Sequence, residues 1–244
     1  MTFYKRTLDS LTTKEYDACL RLMEQSRKTE VQSIHNPVVR GRTVLGEWMA
    51  KTALSEHTGL AVEQIKLERD EYGKPAVKGL PLHFNVSHSG KWVVCAVSEK
   101  PVGVDIEQIR PLEMRLAERV CTESDAVYLK EAETEQERLE RLYRLWTAKE
   151  AYFKWKGTGI TNLKSVSFAD ILPHCRQMKE DGYIISIVEE IKELCFTAPL
   201  LFAQITRMNV SILMHKYILP GCRKAPDRFL HLPLLPAHTC LRHF

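Results

Sequence analysis

The chain has 244 residues, 44% hydrophobic and 27% charged, the balance of an ordinary globular protein long enough to bury a core without disulfides or structural metals. Its net charge of +4 sits at the end, where Lys216, Arg223, Lys224, Arg228 and Arg242 face only Asp227; positions 1 to 215 carry thirty residues of each sign, which excludes a basic, nucleic-acid-binding body. Seven scattered cysteines without a CxxC pair argue against a zinc site or a disulfide framework, and with no signal-like start and no run near the ~18 apolar residues of a membrane span, a cytoplasmic protein without membrane contact is expected.

In chain order, Leu11 to Arg27 predicts one or two moderately amphipathic helices, opened by Thr12 and Thr13. Thr43 to His57 places Val44, Leu45, Trp48, Met49 and Leu54 at helical spacing, with Gly59 as the stop. A charged strand candidate at 65–70 and a YGKP turn follow. FNV and WVVCAV flank the Ser89-Gly90 turn and read as a hairpin. Pro101 and Pro111 bound a further strand whose alternation puts Val102, Val104 and Ile106 on one face and Gly103, Asp105 and Glu107 on the other. Leu112 to Lys156 lacks Gly and Pro and reads as helical. Its last stretch carries Leu142, Trp146, Lys149 and Phe153 on one stripe and ends at Gly157. From 163 to 215 the segments SVSFADI, YIISIVEEI, CFTAPLLFAQI and NVSILMHK read as strands. The helix-then-strands order therefore occurs twice, and Trp48-Met-Ala-Lys51 echoes Trp146-Thr-Ala-Lys149. Residues 220–244, rich in Pro, His and Cys, read as a poorly packed appendage.

Asp105 and Glu107 share a strand face, where like charges repel unless solvated, protonated or bridged by a cation. Magnesium takes oxygen ligands from a few carboxylates together with substrate phosphates, while an exposed polar face is the plainer reading of the same pattern. Glu150 and Lys154 stand one helical turn apart. A surface ion pair of roughly 0.2 to 0.5 kcal/mol accounts for them, as does a third metal ligand beside phosphate-clamping lysines. HFNVSHSGKW offers hydroxyls, an imidazole and turn amides suited to an anion. Walker, GxGxxG and GxSxG loops are absent, which excludes the common nucleotide cradles and the α/β-hydrolase elbow.

The runs RTVLGEW (42–48), YGKPAV (72–77), FNVSHSGKWVVCAVS (84–98), VGVDIE (102–107) and LWTAKEAYFKWKGTGI (145–160), in that order, closely resemble the 4′-phosphopantetheinyl transferases of the larger, surfactin-synthetase-activating type. The resemblance implies an α/β (α+β) pseudo-dimer: two similar halves, 1–101 and 102–219, with coenzyme A in the cleft between them and 220–244 as a tail. It implies transfer of 4′-phosphopantetheine from coenzyme A to a serine of an apo acyl or peptidyl carrier protein, releasing 3′,5′-ADP, by a monomer. Asp105, Glu107 and Glu150 inherit the magnesium. Arg42 inherits the 3′-phosphate, Lys74, Ser87 and His88 the nucleotide portion, and Lys149 and Lys154 the pyrophosphate. Glu150 is the candidate base, ahead of Glu123, and Lys154 the group that stabilises the departing phosphate. Arg27, Lys28 and Arg40 are candidates for nucleotide contacts that the motifs do not align. Two rivals are a coenzyme A or nucleotide binding protein without catalysis, and a magnesium-dependent hydrolase of a pyrophosphate bond.

Overall fold

The structure, a computed structural model, describes residues 1–69, 73–111, 115–160 and 162–190. Strand β1 (Thr2–Thr7) leads into α1 (Thr13–Leu22), α2 (Gln25–Gln32) and the long α3 (Pro37–Thr58). Short strands β2 (Leu67–Arg69) and β3 (Pro75–Val77) pair with each other, and β4 (His83–Ser89) and β5 (Trp92–Ser98) form the hairpin expected around Gly90. Then come β6 (Val102–Gln108), α4 (Arg115–Val120), α5 (Glu123–Lys130), the long α6 (Glu135–Lys156), the one-turn α7 (Phe168–Ile171), β7 (Cys175–Glu180) and β8 (Tyr183–Glu189).

Local chemistry sets the helix ends. In α1 the Thr12 hydroxyl accepts from Glu15 N while the Glu15 carboxylate accepts from Thr12 N, a reciprocal capping box. Asn36 caps α3 by accepting from Val38 N and Val39 N, with Pro37 in the first turn, where its missing N–H costs nothing. The helix therefore starts six residues before the expected Thr43. Helices α3 and α6 both end on a glycine in the left-handed region, Gly59 at φ 72° and Gly157 at φ 73°. Acidic Glu135 and Glu137 in the first turn of α6 and basic Lys154 and Lys156 in its last turn complement the helix dipole.

Among the described residues, two three-stranded antiparallel sheets share one plan. In one the order is β1-β5-β4, in the other β6-β8-β7. Each consists of a strand, a long helix and then a hairpin whose second strand pairs with the first strand. Alternation divides the core accordingly. Val93, Cys95 and Val97 of β5 pack under α3, with Leu45, Met49 and Leu54. Val94 and Ala96 point the other way, toward Val104, Ile106, Ile185 and Ile187 of the second sheet. Helix α6 covers that sheet's outer face through Leu145, Ala148 and Ala151, joined by Val188 and Ile171. The layers are thus helix, sheet, sheet, helix. Residues Met1–Ile191 form one compact unit.

One expectation is corrected, and two strands are added to those expected. Strand β1 is only half-buried, and its partner β5 lies about ninety residues away along the chain. SVSFADI is helical rather than a strand: Ser167 caps α7 by accepting from Asp170 N. Strand β7, also unforeseen, is mostly exposed and owes its form to pairing with β8. The expected strands CFTAPLLFAQI and NVSILMHK, and the 220–244 appendage, lie outside the described residues. Among the described residues no helix is long and apolar enough to cross a membrane.

Candidate active site at the seam of the two sheets

Strands β4 and β6 lie against each other and are joined by side chains rather than by a backbone ladder. Asn85, Ser87 and Ser89 alternate onto one edge of β4. Asn85 Oδ1 accepts from Val104 N at 2.9 Å, Ser87 Oγ donates to Asp105 Oδ1 at 2.7 Å, and Ser89 Oγ donates to Glu107 Oε2 at 2.7 Å while accepting from Gln108 N at 3.1 Å. This polar seam holds the two carboxylates of β6 in place.

Helix α6 supplies the rest, and one glycine sets its distance. A Cβ on Gly103 would stand 1.9 Å from Ala151 O and 2.5 Å from Trp155 N, so only glycine lets β6 lie this close beneath the helix. At that separation Lys154 Nζ donates to Asp105 Oδ1 at 2.6 Å and to Ser87 Oγ at 3.1 Å, and lies 3.7 Å from Glu150 Oε2. Trp146 Nε1 donates to Glu150 Oε1 at 2.6 Å, one turn back along the helix. Lys74 Nζ reaches the end of α6 and donates to Lys154 O at 2.5 Å.

Asp105 is 1% exposed, not solvent-facing as the plainer reading of a polar strand face has it, and its Oδ2 is buried without a hydrogen-bond partner. Such an oxygen is costly unless a donor or cation reaches it. Burial pushes the Glu107 carboxyl up to about 7, with the charges of Asp105 and Glu150 adding to the rise against the Ser89 bond. Burial, then the Asp105 charge, likewise holds Glu150 above the ordinary carboxylate range. Burial pulls Lys154 down, but the charges of Asp105 and Glu150 outweigh it and keep the ammonium protonated. Lys154 thus faces Asp105 and Glu150, with Glu107 also within its electrostatic reach. Among the described residues no three His, Cys, Asp or Glu side chains form a ready-made metal cage. The orphaned oxygen and the all-oxygen donors nonetheless fit a hard divalent cation.

One residue along β4 from Ser87, His88 opens onto a cleft of about 980 Å³ lined by α2, α3 and the β2–β3 pair. Its walls include Arg27, Arg42, Lys51, Lys66, Arg69 and Lys78. Arg42 Nε is buried there without a partner, a second orphan and this time a donor. His88 sits exposed on the rim; partial desolvation, then the charges of Arg42 and Lys154, hold it below its ordinary value.

The expected residues therefore fall into groups. Asp105, Glu107, Glu150, Lys154 and Ser87 come together at the seam, with Lys74 beside them; Arg42 and His88 share the cleft. Arg27 lines the cleft too, but is paired with Glu30 and Glu47. Arg40 donates to Ile34 O. Glu123 opens α5 and is exposed. Lys149 does not join the site: it points away from the carboxylates into a buried pocket beside Asp125. Asn85, Ser89 and Lys51 were not foreseen, although alternation from Ser87 signals the first two.

A model of the "4′-phosphopantetheinyl transferase superfamily" matches residues 101–192, and one described as "4′-phosphopantetheinyl transferase, N-terminal" matches residues 10–100. A 4′-phosphopantetheinyl transferase of Bacillus subtilis is 31% identical over 187 residues, covering 76% of this chain and 80% of its own. The chain belongs to the 4′-phosphopantetheinyl transferase superfamily. Two further transferases agree: Sfp of Bacillus subtilis strain 168, 30% identical over 62% of this chain and 67% of its own, and psf-1 of Bacillus pumilus, 41% identical over 49% and 52%. The boundary between the two transferase models falls between β5 and β6, where the polar seam begins.

Proposed function

We propose that this chain transfers the 4′-phosphopantetheine of coenzyme A to a serine of an apo carrier protein, releasing 3′,5′-ADP, at the β4–β6 seam. One observation carries the reading: His88, which lines the cleft with the orphaned arginine, lies within electrostatic reach of Lys154 and Asp105 and is the chain neighbour of Ser87, itself bonded to both, so cleft and acidic seam adjoin along β4. A coenzyme A whose nucleotide occupies the cleft brings its pyrophosphate to Lys154. The chain is read as a pseudo-dimer with its site between the halves, supported by the repeated strand, helix and hairpin order.

In this reading Arg42 takes the 3′-phosphate, with its free Nε as donor, and His88 makes one hydrogen bond beside it. Asp105, Glu107 and Glu150 would hold magnesium, which supplies charge shielding of the pyrophosphate. Lys154 faces the same phosphates with a fixed positive charge, preorganised by Ser87 and Asp105, so little rearrangement accompanies the build-up of charge on the leaving oxygen. Glu150, held by Trp146, takes the proton of the carrier serine as its oxygen attacks the phosphorus nearest pantetheine. A new P–O bond forms, the bond to the bridging oxygen breaks, and 3′,5′-ADP leaves.

The test is to incubate the protein with coenzyme A, magnesium and several apo-carrier proteins and to weigh each carrier. A carrier gaining one phosphopantetheine, with 3′,5′-ADP in equal amount, is the expected result. Coenzyme A cleaved with no carrier gaining mass overturns the transfer reading in favour of hydrolysis.

A further inference from the structure

Lys149 is 0% exposed, and all three of its donors are used: Nζ bonds Asp125 Oδ2 at 2.6 Å, Val120 O at 2.7 Å and Leu163 O at 2.9 Å. Asp125 is committed too. Its Oδ2 accepts from Thr122 N and its Oδ1 from Phe168 N, both at 2.8 Å. The pair ties the end of α4, the cap of α5, the turn at Leu163–Ser165 and the first residue of α7 to one point on α6. No N–H remains for a phosphate, and turning the ammonium toward the seam would strand a buried carboxylate.

A second observation is independent of the first. In α3, Lys51 is also buried, and its Nζ donates to Ile65 O at 2.8 Å, fourteen residues along the chain; Leu163 likewise lies fourteen residues beyond Lys149. Each helix ends on a left-handed glycine eight residues after its lysine. The Trp-x-Ala-Lys echo is thus a repeated strut: a lysine that anchors the segment returning from its helix. A substrate contact in one half alone does not account for the shared geometry.

We infer that Lys149 is a positioning residue, fixing the last two turns of α6 so that Glu150 and Lys154 reach Asp105, and that it makes no contact with coenzyme A. Its activity readouts rest on the transfer reading above; its stability readout does not. Lys149→Met, Asp125→Asn and the double variant are compared by Tm and, below all three melting points, by kcat and KM for coenzyme A. Lys149→Met is expected to lower Tm and reduce kcat about tenfold or more while KM stays within about twofold. Adding Asp125→Asn, which removes the stranded charge, is expected to recover most of the lost Tm and part of kcat.

An unchanged Tm with KM raised about tenfold, not recovered by Asp125→Asn, overturns the inference in favour of a phosphate clamp. Should Lys149→Met fail to fold, Asp125→Asn alone decides: the strut predicts lower Tm and kcat at constant KM, whereas a clamp released from its partner predicts kcat/KM unchanged or higher. If the wild type transfers nothing, the transfer reading fails by itself; the Tm values then still decide, since additive losses at the two positions overturn the strut.

Discussion

Asp105 has one oxygen shared by Ser87 and Lys154 and the other buried without a partner, a donor set that fits a hard divalent cation. Asp105→Asn keeps the size of the side chain and removes its charge. Transfer is expected to fall about a hundredfold or more, as for the loss of a central electrostatic group. Magnesium should raise the Tm of the wild type by mass action and leave that of the variant unmoved, read by calorimetry at several metal concentrations. Full activity in Asp105→Asn removes the residue from the site. His88 is assigned to the nucleotide, so His88→Ala should raise KM for coenzyme A more than it lowers kcat; an unchanged KM in steady-state assays ends that assignment.

At the scale of elements, the site depends on how closely β6 and α6 approach. Gly103 permits that approach because Ala151 O and Trp155 N stand where any Cβ would be. Gly103→Ala must push strand and helix apart, which places it among overpacking changes of typically about 1 to 3 kcal/mol, with backbone rather than a flexible side chain as the obstacle. Denaturant unfolding should show that loss, and transfer should fall further than stability does, because Lys154 moves with the helix. Glycine at the end of α6 acts differently: Gly157 meets nothing nearby, but its φ of 73° makes Gly157→Ala cost about 1 kcal/mol through backbone strain alone. The two variants separate spacing from capping, since the second should leave KM for coenzyme A unchanged.

Across the whole molecule, carboxylates tie distant segments together and make stability depend on acid. The Arg6 guanidinium, reaching from β1 to α1, holds the Glu15 carboxyl down at about 2, helped by the bonds from Thr12. Burial pushes Asp125 up, but the Lys149 ammonium and backbone N–H bonds outweigh it and keep the carboxyl below its ordinary value. Both groups have folded values below their unfolded ones. Their stabilisation is therefore present in full above the ordinary carboxylate range, near pH ~4, and is lost as pH falls through the folded values. Tm measured from pH 6 to 2.5 should drop steadily at the acid end, and Glu15→Gln should flatten part of that drop. An identical pH profile for wild type and Glu15→Gln contradicts the pairing.

The sequence by itself determined the elements whose signals are local. The α3 and α6 patterns with their terminal glycines, the hairpin about Gly90 and the β6 alternation each depend on neighbours within a few residues, and five ordered motifs pointed to the family. Strand β1 was not legible because it is only half-buried and pairs with β5 about ninety residues away, and strand β7 because its mostly exposed residues show little apolar alternation, although β8 pairs with it across the Asp181-Gly182 turn. The helical turn at Phe168 was misread because a one-turn helix has too few residues to show a period. Only the tertiary structure decided which way each charged side chain of α6 faces: Glu150 and Lys154 meet the strand carboxylates while Lys149 turns to Asp125. Residues one and five apart on a helix point to different sides, and which side holds a partner depends on what the rest of the chain packs there.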